Sequence, residues 1–459
     1  MAIVAELLRA RVNPMTVSAQ GFEHDRLLRF APAAQRSRPP NHSLAGLVRY
    51  RRGLLMTSKD RRWCVPLVLA ALAPCVVQLC GKYALDLDVY RAGGWAVLHG
   101  QDLYAVRLHR NGFTYPPFAA TLFTGLAVLR LGAATLVLTL VSLGCLAMFV
   151  RCSARHLLTR PPSVPVLVGL AALVACEPVR ATLWTGQIDL VLAALVTRDL
   201  LGAGPRRLRG VGIGLAAAVK LTPAIFVVYL LVRRRYRDAA CATGAFALAT
   251  ASAWLALPQD SVRFWTNEVF AGSGLGDISQ SSNQSLLGVL LRLAPPIAYP
   301  VWAVLAAPTV VMGLRIARRA SLLGNEVLAV GTVGVTGCLV SPVSWSHHWI
   351  WCIPWLVGLA AMAHTRALRW WTISVGAVFF GQYLLPRVLT DAWAPLQLIA
   401  DNAFLLAAVI TLRVTQRLNL PQSREGMHYE ESHAEGTQAQ GSVLTDDGGR
   451  CAIRSSRAE

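Results

Sequence analysis

Apolar runs of helical length alternate with short polar stretches along this chain. The runs are residues 63–82, 131–150, 164–183, 188–201, 239–257, 298–314, 322–340, 348–362, 370–385 and 396–412. Several hold about 17 to 25 residues, enough for a helix to cross a hydrocarbon core of about 30 Å. Backbone groups in lipid must be paired internally, which makes helix the natural form for such runs. The pattern predicts an all-α, polytopic integral membrane protein.

Composition supports that solvent assignment. Hydrophobic residues make up 54% of the 459, charged residues only 15%, and the mean hydropathy is +0.47, values that exclude a soluble globular chain. Residues 1–62 are Arg-rich and lack sustained periodicity or an apolar signal core with a cleavage site, so they read as a basic, disordered cytoplasmic segment. Met56 opens a compact "MTSKDRRWC" lead into the first run and is an alternative start. Residues 63–418 form the expected transmembrane domain, and 419–459 a polar, disordered cytoplasmic tail.

The net charge of +20 raises nucleic acid as a partner, but its distribution excludes it. The cations fall in clusters between apolar runs: Arg233/Arg234/Arg235/Arg237, Arg315/Arg318/Arg319, Arg366/Arg369 and Arg413/Arg417. They alternate with cation-poor loops, as a positive-inside bias requires. Ten cysteines are scattered without a Cys-x-x-Cys pair and read as small apolar side chains.

With the clusters inside, four polar segments face outward: "LDLDVYRAGG" with the loop to "TYPPF", residues 259–284, "SPVSWSHHW" and "LPRVLTDAW". Residues 210–232 fit one span or two half-helices broken at Lys220 and Pro223. Cations on both flanks favour the two half-helices, which also puts "WTGQID" outside. The same threading leaves 117–150 as one crossing despite Arg130.

Asp86 and Asp88 in "DLDVY" form the Asp-x-Asp spelling that many sugar-transferring enzymes use to hold a metal and a nucleotide. Residues i and i+2 share a face in an extended loop but point nearly opposite ways on a helix, so joint metal binding requires an extended loop. A nucleotide is also out of place on the far side. The bland reading is a solvated loop acid; the surrounding aromatic, Gly, Asp and Arg side chains suit carbohydrate.

In "SPVSWSHHWIW", His347 and His348 stand among three tryptophans where a run emerges. That fits an interfacial belt, or an imidazole that hydrogen-bonds a phosphate or orients a carboxylate base. Adjacent residues diverge on a helix, so at most one of the two would do so. Lys220 is an ammonium in apolar sequence, which is costly and usually paired or functional, unless it snorkels. Gln187 and Asp189 in "GQID" suit polar ligand groups or helix pairing.

Taken in order, "DLDVY" ahead of "TYPPF", "TGQIDL", "AAAVKLTPAIFVVYLLVRRR", "SSNQSLLGVLLR" and "SPVSWSHHWIW" resemble the polyprenyl-phosphate-mannose-dependent α-1,2-mannosyltransferases of mycobacteria and their relatives, glycosyltransferase family 87. The resemblance runs from Asp86 to Trp351, and order and spacing carry it. It implies a GT-C fold, with about 10 to 13 transmembrane helices and a functional first external loop. It further implies a polyprenyl-phosphate-mannose donor used at the periplasmic face of the plasma membrane. The acceptor would be a mannose 2-hydroxyl of a phosphatidylinositol mannoside, lipomannan or lipoarabinomannan. Another lipid-linked sugar donor, or a secondary transporter, are the competing readings.

By the resemblance, the first acid of "DLDVY", Asp86, is the general base, with Asp88, His347 and His348 in support. Forming an α-linked product from a β-linked mannosyl phosphate inverts the anomeric carbon, so one displacement and one base suffice. Cations or donors then stabilise the departing phosphate; the candidates are Lys220, His348 and Arg91. Tyr90, Tyr115, Gln187, Asp189, Asn283 and Trp345 are candidates for sugar or acceptor binding. A phosphate monoester leaving group carries less charge than a nucleoside diphosphate, so no metal or cofactor is expected.

Overall fold

The computed structural model describes residues 84–108, 111–155, 176–202, 204–271, 276–381 and 394–418. The expected run at 63–82, most of the run at 164–183, the N-terminal segment, "LPRVLTDAW" and the tail lie outside the described residues. What is described is mostly helical. Among these residues the one sheet is a small antiparallel hairpin, β1 (Arg107–Leu108) with β2 (Asn111–Gly112).

The first described helix corrects the sequence reading. Where a base-bearing loop was expected, Leu85–Leu98 forms helix α1. Its glycines are a packing surface: a Cβ on Gly94 would lie 2.5 Å from the Phe123 carbonyl oxygen, on helix α2 (Pro117–Ala127). Tyr90 stacks on Phe123 with centroids 4.3 Å apart. Arg91 donates from Nη2 to Leu129 O at 2.8 Å and from Nε to Leu126 O at 3.3 Å, satisfying carbonyls left open at the end of α2. Helix α3 (Leu131–Arg155) follows. The single crossing expected over 117–150 is therefore two helices, and exposed Arg130 sits at the break between them.

Helix α4 (Glu177–Thr185) stops at Gly186, whose φ of 72° lets the chain reverse in the left-handed conformation glycine tolerates. Helix α5 (Asp189–Leu201) starts three residues later. The region 210–232 is two half-helices, α6 (Val211–Val219) and α7 (Ile225–Val232), joined through an extended Lys220 and a 3-10 turn at Thr222–Ala224. Helix α8 (Tyr236–Ala256) follows. A Cβ on Gly210, before α6, would touch Asp238 O at 2.1 Å, and Arg235 N bonds Leu230 O at the end of α7. Both half-helices thus begin or end beside the start of α8, so the chain enters and returns with Lys220 at the tip.

Beyond short helical segments over Pro258–Arg263, Phe264–Glu268 and Val269–Ala271 come α9 (Leu286–Leu293), α10 (Ala298–Leu322), α11 (Glu326–Val340), α12 (Cys352–Met362), α13 (Arg366–Gly381), α14 (Ala394–Asp401) and α15 (Ala403–Arg417). The run expected at 322–340 begins later because Gly324 (φ 78°) ends α10. Asn325 then caps α11 by accepting from Leu328 N at 3.0 Å. Three described helical segments, Leu131–Ser153, Tyr236–Ala256 and Pro295–Leu322, are long and apolar enough to cross a membrane. The α14–α15 pair makes a fourth if its 73° bend is a broken span.

Helix α7 runs antiparallel to α11. Ile225 packs near Gly337 at one end, while Arg233 pairs with Glu326 at 3.2 Å at the other. The second end gathers the cation clusters: Arg319 reaches Gln416 O near the end of α15, and α12 runs toward Arg366. The first end gathers Lys220, the end of α4, the start of α5 and the Ser346–Trp351 3-10 segment.

Candidate functional site

At the end away from the cation clusters, four chain breaks present polar side chains to one another. Gly186 turns the chain between Thr185 and Gln187, and Asp189 lies in the first turn of α5, where the helix dipole favours a carboxylate. Lys220 is the break between α6 and α7. Its Nζ donates to Asp189 Oδ1 at 2.8 Å and meets His348 Nε2 at 2.9 Å, and it lies 5.7 Å from the Tyr115 ring centroid. An ammonium has only donors, so His348 Nε2 must accept and the ring carries its proton on Nδ1.

Tyr90, fully buried, donates its hydroxyl to Gln187 Oε1 and shares a 3.1 Å contact with the Tyr115 hydroxyl. Gln187 Nε2 lies 3.4 Å from Tyr115 Oη. Asp86, at the start of α1, is half-buried and is hydrogen-bonded by Thr185 and Gln187. Helix α1 has 14 residues, too few to span a membrane. Burial raises the Asp86 carboxyl above the usual carboxylate range, opposed by the Thr185 and Gln187 hydrogen bonds and then by the charge of Lys220.

His347 Nε2 and Asp189 Oδ2 face each other across 3.9 Å. Both atoms are buried, and neither has a hydrogen-bond partner. Asp189, His347 and His348 offer ligand atoms within 4.8 Å of one another, a set that could hold a metal ion. A small cleft beside them is lined by Asp189, Ser344 and His348 together with the apolar Pro223, Ile225, Gly337 and Trp351.

The fold therefore brings together Asp86, Tyr90, Tyr115, Gln187, Asp189, Lys220, His347 and His348. The four remaining candidates, Asp88, Arg91, Asn283 and Trp345, make other contacts. Asp88 lies near the opposite face of α1, 3.8 Å from Arg91, and Arg91 is engaged with the α2 carbonyls. Asn283 is fully buried and works as a staple: Nδ2 donates to Ile278 O at 2.8 Å and Pro342 O at 3.3 Å, and Oδ1 accepts from Ser344 N at 2.8 Å. Its backbone bridges to half-buried Trp345, so Asn283 holds the histidine-bearing segment in place.

Thr185 and Ser344 belong to the site but were not singled out by the sequence. Thr185 had a signal, since it immediately precedes the chain-reversing glycine of "TGQID"; Ser344, with its buried unpartnered hydroxyl, had none.

Comparison with known proteins adds the lineage. The model of glycosyltransferase family 87 matches residues 113–342. The chain is 35% identical over 364 residues, 71% of it and 79% of the relative, to a polyprenol-phosphate-mannose-dependent alpha-(1-2)-phosphatidylinositol mannoside mannosyltransferase of Mycolicibacterium smegmatis. A protein of the same description from Mycobacterium tuberculosis is 32% identical, covering 74% of this chain and 84% of that one. A Mycolicibacterium smegmatis protein described as the corresponding pentamannoside mannosyltransferase is 30% identical, with 66% and 77% covered. No solved structure matches.

Proposed function

The chain belongs to glycosyltransferase family 87, and from that membership we propose that it transfers mannose from polyprenyl-phosphate-mannose to a mannose 2-hydroxyl of a phosphatidylinositol-mannoside-type acceptor. The observation that carries this reading is the meeting of Asp86, Lys220 and His348 at one end of a helical bundle whose other end collects arginines. A carboxylate, a fixed cation and an imidazole are the groups that an inverting transfer from a lipid phosphate needs.

The acceptor hydroxyl gives its proton to Asp86 as its oxygen attacks the anomeric carbon, and the bond to the phosphate oxygen breaks on the opposite face. Lys220 meets the charge that develops on the departing polyprenyl phosphate. His348, accepting from the ammonium, holds it in position, and Asp189 balances it while the donor is absent. Tyr90 and Gln187 fix the orientation of Asp86. The apolar residues lining the cleft, among them Pro223, Ile225 and Trp351, suit contact with a polyprenyl chain arriving sideways from the bilayer. No metal step is invoked.

The arginine-rich end favours the cytoplasm, which supports reading the site at the outer face of the plasma membrane with both termini inside. A GT-C fold of about 10 to 13 helices accommodates the described spans together with the remaining apolar runs.

The test is mannosyl transfer by purified, detergent-solubilised protein from polyprenyl-phosphate-mannose to a synthetic α-mannoside, with Asp86→Asn and a chelator arm alongside. Transfer that survives chelation and collapses in the variant, with donor binding retained, supports the reading. Full activity of Asp86→Asn removes the base assignment. No transfer by folded protein across several acceptors and donors removes the activity itself.

A further inference from the structure

Asp189, His347 and His348 form a ligand set of one carboxylate and two imidazoles, the kind that binds zinc or non-haem iron with an open position. Their ligand atoms lie within 4.8 Å of one another, and tetrahedral zinc at bond lengths of about 2.0–2.1 Å needs them about 3.3 Å apart. Two of those atoms, Asp189 Oδ2 and His347 Nε2, are buried, unpartnered and 3.9 Å apart. Buried polar atoms without partners are uncommon, and here they point at each other across a gap too wide for a hydrogen bond and wide enough for an ion. The Lys220 ammonium stands at its edge, 2.8 Å from Asp189 Oδ1 and 2.9 Å from His348 Nε2.

We propose that Asp189, His347 and His348 are a cation-binding nest whose resident cation is the Lys220 ammonium, and that removing this side chain converts the nest into a binding site for a divalent transition-metal ion. Lys220 excludes a metal in two ways. It occupies ligand atoms on Asp189 and His348, and its positive charge repels a second cation at close range. With the side chain truncated, the carboxylate is left buried without a counter-charge, a costly state that a metal ion relieves using the same atoms. In the native chain the tethered ammonium supplies, at a fixed position, the positive charge that other phosphate-handling sites take from a metal. The proposal deepens the reading of Lys220 as the cation that meets the donor phosphate. Its test reads metal binding and not transfer, so the two readings fail separately.

The test compares tag-free wild type, Lys220→Ala and Lys220→Ala/His347→Ala. Each is titrated with Co²⁺ and read by visible d–d absorption, with thermal unfolding measured with and without Zn²⁺. The expected result is a gain of d–d bands in Lys220→Ala that saturates at one ion per chain. Zn²⁺ should raise the Tm of that variant, as a ligand specific for the folded state must. Wild type should show neither effect, and the double variant should lose both. A Lys220→Ala chain recovered in folded form only when Zn²⁺ is present supports the proposal equally. Bands in Lys220→Ala no stronger than in wild type, or bands that survive His347→Ala, overturn it. If Lys220→Ala is not recovered with or without metal, Lys220→Ser, which leaves a small hydroxyl beside Asp189, decides by the same readouts.

Discussion

Lys220 Nζ lies 2.8 Å from Asp189 Oδ1, and the two side chains are only 12% and 8% exposed. Neither charge has water to fall back on, so breaking the pair from one side leaves the other buried and uncompensated. Asp189→Asn should cost about 3–5 kcal/mol of stability, read as a lower unfolding temperature in detergent. The double variant Lys220→Met/Asp189→Leu should recover much of that loss, because no buried charge remains, while mannosyl transfer stays absent. Equal destabilisation in the single and double variants would show that the pair is not coupled.

Gly94 sets the distance between α1 and α2. Its missing Cβ would sit 2.5 Å from the Phe123 carbonyl oxygen and 2.8 Å from Thr124 N, backbone atoms that cannot rotate away. Gly94→Ala should therefore destabilise by about 1–3 kcal/mol and lower transfer, because Asp86 rides on α1. Gly125→Ala is the control: nothing lies within 4 Å of its Cβ, so unfolding temperature and rate should be unchanged or slightly raised.

The parts of the site legible in the sequence were those that break a local rule. A lysine and a proline inside an apolar run announced the Lys220 break, and "GQID" stood out as the polar interruption that carries Gln187 and Asp189. The parts that were not legible depend on distant partners. The two glycines of "YRAGGW" read as part of a loop suited to carbohydrate, whereas Gly94 in α1 meets α2 through the Phe123 backbone. Arg91 read as a candidate for the donor phosphate because the Leu126 and Leu129 carbonyls that occupy it become available only once α2 ends where it does. The pairing of Asn283 with Trp345 leaves no trace in either segment. The bounds of the runs shifted for a related reason: residues 189–201 form a helix of 13 residues, much of it buried, and composition alone does not separate a buried helix from a membrane crossing.

Asn283 is a positioning residue, and its prediction separates that role from sugar binding. Asn283→Ala leaves Ser344 N without its acceptor and Ile278 O without the Asn283 donor, each about 1–3 kcal/mol where burial is complete, while Pro342 O keeps the Ser285 hydroxyl. Amide hydrogen exchange across residues 342–348 should speed up, and KM for the donor should rise as His348 loses its fixed place. A contact with sugar alone would raise KM without altering exchange in that segment.

The acid limb of the pH–rate profile tests Asp86 directly. A general base works only when deprotonated, and burial raises this carboxyl above its ordinary value of 3.8. Activity should thus be full above the raised pKa and fall as pH drops through it, with the midpoint higher than for an exposed aspartate. Gln187 donates to the carboxylate and so favours its charged form. Gln187→Leu should move the limb to still higher pH, while Asp86→Asn should lower the rate by roughly 10²- to 10⁴-fold and flatten the limb. Unfolding temperature measured across the same pH range separates the two causes of an acid limb: a fall in rate that tracks a fall in Tm reports loss of the fold, and one that precedes it reports titration of the base. A limb unchanged in Gln187→Leu would place the titrating group elsewhere than Asp86.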